Sequence, residues 1–268
     1  SKSRVHAAPR REPVDRVPIW MWYHPETTRQ LAEKLDISPT LVPAAMGDDV
    51  RQQWVGNNHA MEGIVHEREG QGHTDRWGVQ WERQGPFNQI VSSPLEGASE
   101  QECLDYRHPH DQMDALLENM EPVAAQADDS FIGCDVSPCV FELVCRIRGM
   151  ESAILDMAAS PDLARTMLHR AASFSRDISE AACERFPVDW LWTGDDVGCQ
   201  RAMLMSPQSW RAMVGPELER IVRVGKSHGV WVAYHSCGAI HPIIPDLIQM
   251  GVDVLNPVQC NCPGMDPV

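Results

Sequence analysis

The sequence predicts an α/β protein built on a parallel sheet, and two observations carry that expectation. From about residue 112 onward, short apolar runs alternate with amphipathic segments of helical period. Neighbouring runs are separated by enough chain for a crossover helix rather than a hairpin, the connection that parallel strands require. A doubly wound sheet and a (β/α)8 TIM-type barrel both satisfy this pattern. We count about five or six strands where eight close a barrel, so a barrel would be incomplete at its C-terminus.

Taken in order, "RVPIWMWY" (16–23) is an apolar run entered through Pro13 and Pro18 and predicts a strand, and "HPETTRQLAEKLD" predicts the helix after it. Residues 47–112 are richer in Gly, Gln, His and Trp, with short extended segments such as "DRWGVQWERQGPFNQIVSSPL". They predict an elaborated insertion within a single domain spanning 1–268. Beyond it, "MDALLENMEPVAAQA" predicts a helix, "SFIGCDV" a buried strand and "GMESAILDMAA" a helix. The segment from Ser160 opens with a capping serine and Pro161 in the first turn. It places Leu163, Met167, Ala171, Phe174, Ile178 and Ala181 three and four apart, one face of a long helix. "VDWLW" predicts the next strand. The helix after it is capped by Ser206, bent near Gly215 and Pro216, and ends at Gly229. "VWVAY", "HPIIPDLIQMG" and "VDVLNP" complete strand, helix and strand.

Composition excludes several functions. With 23 Lys and Arg against 38 Asp and Glu, the formal charge is −15, which disfavours a phosphate-tracking surface and hence nucleic acid as partner. No apolar stretch approaches the ~20 residues of a membrane span, and the N-terminus lacks the apolar core of a signal peptide, so the expected location is the cytoplasm. The nine cysteines are odd in number and sit in apolar segments such as "FIGCDVSPCVFELVC", as expected of reduced packing cysteines. The chain opens at Ser1 without a methionine and stops after the loop-like "CPGMDPV", from which we expect a fragment of a longer protein.

Parallel α/β folds place chemistry at the carboxyl ends of their strands. His235 and Cys237 follow "VWVAY" directly. Side chains two apart on an extended segment point the same way, so an imidazole and a thiolate can face one ion while Ser236 faces elsewhere. Nitrogen and sulfur suit zinc. Cys260 and Cys262 repeat the spacing after the next strand and are weak further candidates; packing as small buried hydrophobes is the plainer role for this pattern. Asp195 and Asp196 follow "VDWLW" beside Gly194 and Gly198 and are candidates for proton handling or substrate binding, against a turn that satisfies its own backbone. Asp135 is a third strand-end acid that can equally cap the segment after its strand. His24 and Trp22, at the end of the first apolar run, are candidates for a cofactor or ligand chamber, against a turn histidine and core packing.

The run from "SFIGCDVSPCVFELVC" through "DWLWTGDDVGCQRAMLMSP" to "VWVAYHSCGAIHPIIPDLIQMGVDVLNPVQ" resembles the uroporphyrinogen decarboxylase superfamily, over roughly residue 13 to the end. "GDD.G", "SP", "HSCG" and "GVDVLNPVQ" are most similar to its corrinoid-dependent methyltransferase branch. The resemblance implies a β/α barrel. The decarboxylases carry an Arg-Gln-Ala-Gly-Arg-Tyr segment for the substrate carboxylates, and the matching place here reads "MWYHPETTRQ" without that arginine pair. In the methyltransferases a His-x-Cys pair and a more distant Cys bind zinc. His235 and Cys237 match the pair, and the distant Cys would lie beyond Val268. The implied chemistry is attack by a zinc-activated small-molecule thiol on the methyl group of a corrinoid supplied by a partner protein. The alternatives are a metal-free decarboxylase of a tetrapyrrole or polycarboxylate working through Asp135 or Asp195, and a non-catalytic corrinoid-binding relative.

Overall fold

The structure, a computed structural model, describes residues 2–58, 64 and 66–266. In chain order its strands are β1 (Val50–Trp54), β2 (Gly72–Thr74), β3 (Gln80–Gln84), β4 (Phe87–Ser92), β5 (Phe131–Asp135), β6 (Trp190–Gly194), β7 (Trp231–His235) and β8 (Val254–Asn256). Five of them form one parallel sheet in the order β1-β5-β6-β7-β8, and β2-β3-β4 form an antiparallel sheet beside it. The order of the parallel sheet follows the chain without reversal. A doubly wound sheet needs a switch point where the order reverses, so the two-way choice falls to the TIM-barrel-like arrangement.

The two faces of the sheet confirm it. Val50, Phe131, Trp190, Trp192 and Ala233 lie on one face and cluster with Val5 and with partly buried Trp20, Trp231 and Val254. Ile132, Cys134, Leu191, Val232 and Tyr234 lie on the other and join the large helical core. This is the period-two alternation of strands whose inner face lines a barrel and whose outer face meets the crossover helices. Taking an indole such as Trp192 out of water buries roughly 200 Å2, worth several kcal/mol at about 25 cal/mol/Å2. The indoles of Trp20 and Trp192 lie 4.8 Å apart between centroids.

The long helix runs over Pro161–Arg185. Leu163, Met167, Ala171, Phe174 and Ile178 are buried as the spacing predicts, with Ala182 rather than Ala181 completing the stripe. Ser160 stands at its N-cap position but its side chain makes no capping bond. Ser206, by contrast, accepts from the Ser209 N–H at 3.0 Å. The predicted bend near Gly215 is a π-helical turn, Trp210–Val214, leading into the Gly215–Ser227 helix. A Cβ at Gly215 would come within 2.9 Å of the Trp210 ring, so only glycine lets the indole pack there.

Three expectations change. Residues 16–23 do not form a strand: Pro18 has no N–H to donate, and the carboxylates of Asp49 and Asp48 accept from the Ile19 and Met21 N–H groups at 2.9 and 3.3 Å, taking the place of a ladder partner. The first strand of the parallel sheet is instead β1, which lies inside the stretch read as an insertion. Its sequence, "VRQQW", has no apolar run to betray it. The same stretch also carries the antiparallel β2-β4 sheet, with residues 59–63 and 65 outside the described residues. "MDALLENMEPVAAQA" is broken into the short helices Met113–Leu117 and Glu121–Ala124 around a 3-10 turn, Glu118–Met120, with Pro122 opening the second helix. The pattern also did not flag the buried Phe141–Arg148 helix after β5.

Candidate metal centre

All five parallel strands end on the same face, and the register sets which ends meet. Gly194 is paired with His235, and His235 with Asn256. Asp196, just past β6, thereby comes to the end of β7. Donor atoms of Asp196, His235 and Cys237 all lie within 4.8 Å of one another, the one group of three metal-ligating side chains found among the described residues. His235 Nε2 is 3.6 Å from Asp196 Oδ1 and 3.7 Å from Cys237 Sγ.

This donor set fits a divalent cation. Bonds of about 2.3 Å to sulfur and about 2.0–2.1 Å to nitrogen and oxygen at tetrahedral angles put sulfur and nitrogen about 3.6 Å apart, and nitrogen and oxygen about 3.4 Å apart. The observed separations are close to both. His235 Nδ1 lies 2.9 Å from Asn256 Oδ1. An amide oxygen can only accept, so the ring proton sits on Nδ1 and Nε2 keeps its lone pair toward Asp196 and Cys237. Burial, and then the negative charge of Asp196, push the Cys237 thiol up to about 11. A cation among the three would reverse that balance and favour the thiolate.

The loop carrying Cys237 is tightly held. Asp196 Oδ1 accepts from the Cys237 N–H at 2.7 Å, and Gln259 Oε1 accepts from the Gly238 N–H at 2.7 Å. Gly238 adopts φ +86°, and a Cβ there would meet the backbone of Cys199 at 2.6 Å. Only glycine permits that turn and that approach. Ser236, between the two ligand candidates, is buried, and its hydroxyl accepts from the Val197 N–H at 3.2 Å.

The other strand-end acids are placed differently. Asp195 is fully buried, and its carboxylate accepts from the Val140 and Glu142 N–H groups, each at 2.9 Å to Oδ1, pinning the start of the Phe141–Arg148 helix to the end of β6. Burial raises its pKa to about 8 against those bonds. Asp135 is also buried. It accepts from the Ser137 N–H and hydroxyl at 2.9 and 2.6 Å and from Gln52 at 2.8 Å, and burial raises its pKa to about 7. Cys260 is exposed and Cys262 is buried beside Gln200 and Gln259; neither belongs to the group of three. All nine cysteines are free.

A cleft of about 590 Å3 opens between the β3-β4 hairpin, the Phe141–Arg148 helix and the start of the Pro25–Leu35 helix. Trp22 and His24 line it. His24 also caps its helix, Nδ1 accepting from the Glu26 N–H at 3.3 Å. Glu142 lines the cleft and accepts from the Asp196 N–H at 3.2 Å, so it joins cleft and donors. The sequence reading missed Glu142, Asn256 and Gln259. Asn256 was open to the strand-end argument, because it ends β8, whereas Glu142 sits on a helix that the apolar pattern does not reveal.

The solved structure of a methyltransferase from Methanosarcina mazei has a similar fold, with a TM-score of 0.65 at 18% identity over 95% of this chain and 74% of that one. No curated protein matches the chain. The sequence pattern of the uroporphyrinogen decarboxylase (URO-D) family matches residues 88–260, from the β4 strand through β8 and including both Asp196 and the His235–Cys237 pair. A match over well over half of the sequence, on a barrel-like sheet of the expected strand order, means that the chain belongs to the uroporphyrinogen decarboxylase family.

Proposed function

We propose that this chain is a zinc-dependent methyltransferase that moves a methyl group from a methylated corrinoid, carried by a partner protein, to a thiol acceptor. The observation that carries the reading is the convergence of Asp196, His235 and Cys237. His235 and Cys237 would hold the ion through Nε2 and Sγ, with Asp196 Oδ1 or Oδ2 as the third donor in place of the distant cysteine implied by the resemblance. Zinc at such a set, with one position left for substrate, lowers the pKa of an incoming thiol so that it reacts as a thiolate. The methyl group would pass from the partner's corrinoid to the substrate sulfur, its bond to the corrinoid breaking as the bond to sulfur forms, with the thiol proton released to solvent.

The chain's own residues orient this site. Asn256 holds the His235 tautomer, and Gln259 and Asp196 hold the Cys237 loop by its N–H groups. The similarity to a solved methyltransferase supports the same direction. Metal-free decarboxylation has less to draw on, because the carboxylates of Asp135 and Asp195 are buried and engaged with their own backbone and side-chain donors.

Zinc per chain, measured by elemental analysis after dialysis against a weak chelator, tests the reading. We expect about one ion in the wild type and none in Cys237→Ser, with loss of thiol methylation in the variant. Methylation retained by Cys237→Ser would overturn it.

A further inference from the structure

We propose that the 590 Å3 cleft, which Glu142 links to Asp196, binds a small, uncharged aromatic molecule, and that this is the body of the thiol acceptor. The binding part of the proposal stands alone; the acceptor part rests on the zinc-thiol reading above. The volume falls in the range of small-molecule sites. Trp22, His24, Trp81 and Phe87 line it, and the rings of His24 and Phe87 meet edge to face at 5.5 Å. Phe87 is 53% exposed and Trp22 47%, so two large aromatic surfaces face the opening without cover. Rings so placed favour a planar apolar guest through stacking and edge contacts.

The lining carries no net charge to attract an anionic guest. The lining carries two acids, Glu26 and Glu142, and two bases, Arg83 and Arg146, so it is formally neutral. Arg146 is buried, paired with Glu142 at 2.7 Å, bonded to Asn57 and Asn58, and laid over the Trp81 ring. Arg83 donates to the carbonyls of His66 and Gly85. The Arg146 charge is offset by Glu142, and Arg83 has given two of its N–H groups to carbonyls, so the cleft favours an uncharged guest over a carboxylated or sulfonated one. Glu142 then sets the direction: it lines the cleft and accepts from the Asp196 N–H, so a guest's reactive tail at that end points toward Asp196 across one side chain.

The aromatic site is tested with 2-naphthol, which has no thiol, titrated by calorimetry into metal-free protein. Saturable binding of one molecule per chain is expected, weakened about tenfold in Phe87→Ala and preserved in Phe87→Tyr. Phe87 is half exposed, so neither substitution threatens the fold. No saturable binding, or equal affinity in Phe87→Ala, would overturn the site. For the acceptor, 2-naphthalenethiol should exceed mercaptoacetate in kcat/KM by about tenfold or more, with Phe87→Ala erasing the preference; an equal or reversed preference would overturn the assignment. Zinc content of the protein as purified, measured before the metal is stripped for the titration, separates the two readings. Naphthol binding by a chain that retains no zinc supports the aromatic site and removes the thiol chemistry, whereas zinc retention without naphthol binding removes the aromatic site alone.

Discussion

At the scale of single residues, the donors are only as good as the groups that aim them. Asn256 is the clearest case: it touches no substrate, yet its Oδ1 at 2.9 Å holds His235 Nδ1 and so decides which nitrogen faces Asp196 and Cys237. Removing such a partner lets the ring turn and change tautomer, which in comparable sites weakens metal binding about 10–100-fold. Asn256→Ala should show that loss in a competition titration against a chromophoric chelator. Its thermal midpoint should stay close to wild type, because Asn256 lies at a strand end and is only partly buried. Unchanged zinc affinity would mean that His235 is oriented by something else.

At the scale of elements, Asp195 joins two pieces of the barrel-like layer. It sits at the end of β6, and its carboxylate takes the Val140 and Glu142 N–H groups that the Phe141–Arg148 helix leaves unpaired at its start. That helix carries Glu142 and Arg146 into the cleft, so the contact positions the cleft wall. Asp195→Ala strands both donors in a buried place and should destabilise the fold by about 2–5 kcal/mol. Asp195→Asn, which keeps one accepting oxygen, should lose less. Urea denaturation midpoints at unchanged slope measure both, and equal stability of the alanine variant and wild type would remove the anchoring role.

At the scale of the whole molecule, buried acids make stability depend on pH. The native pKa of Asp135 is raised to about 7 by burial, against about 4 for an unfolded aspartate. The native state therefore holds this proton more tightly than the unfolded chain does. The contribution is fully present below about pH 4 and is lost as pH rises through about 7. Asp135→Asn cannot titrate, so the melting temperature of the wild type relative to this variant should fall between about pH 4 and 7 and then level off. A constant difference across that window would mean that Asp135 is charged in the folded protein. Within the same fold, no helix among the described residues is long and apolar enough to cross a membrane.

By itself the sequence determined what depends on neighbours along the chain. The order of the strands from Phe131 onward, the buried stripe of the Pro161–Arg185 helix and the shared direction of His235 and Cys237 all follow from periods of two and of three to four residues. Only the tertiary structure decided what depends on register between strands. It put "VRQQW" rather than "RVPIWMWY" at the edge of the parallel sheet, and it separated two adjacent aspartates into an anchor, Asp195, and a metal donor candidate, Asp196. It also brought Asp196 to Cys237 across 41 residues of chain. The reason is physical: a local pattern fixes which way a side chain points, but which strand ends meet is settled by hydrogen bonding and packing between segments far apart in sequence.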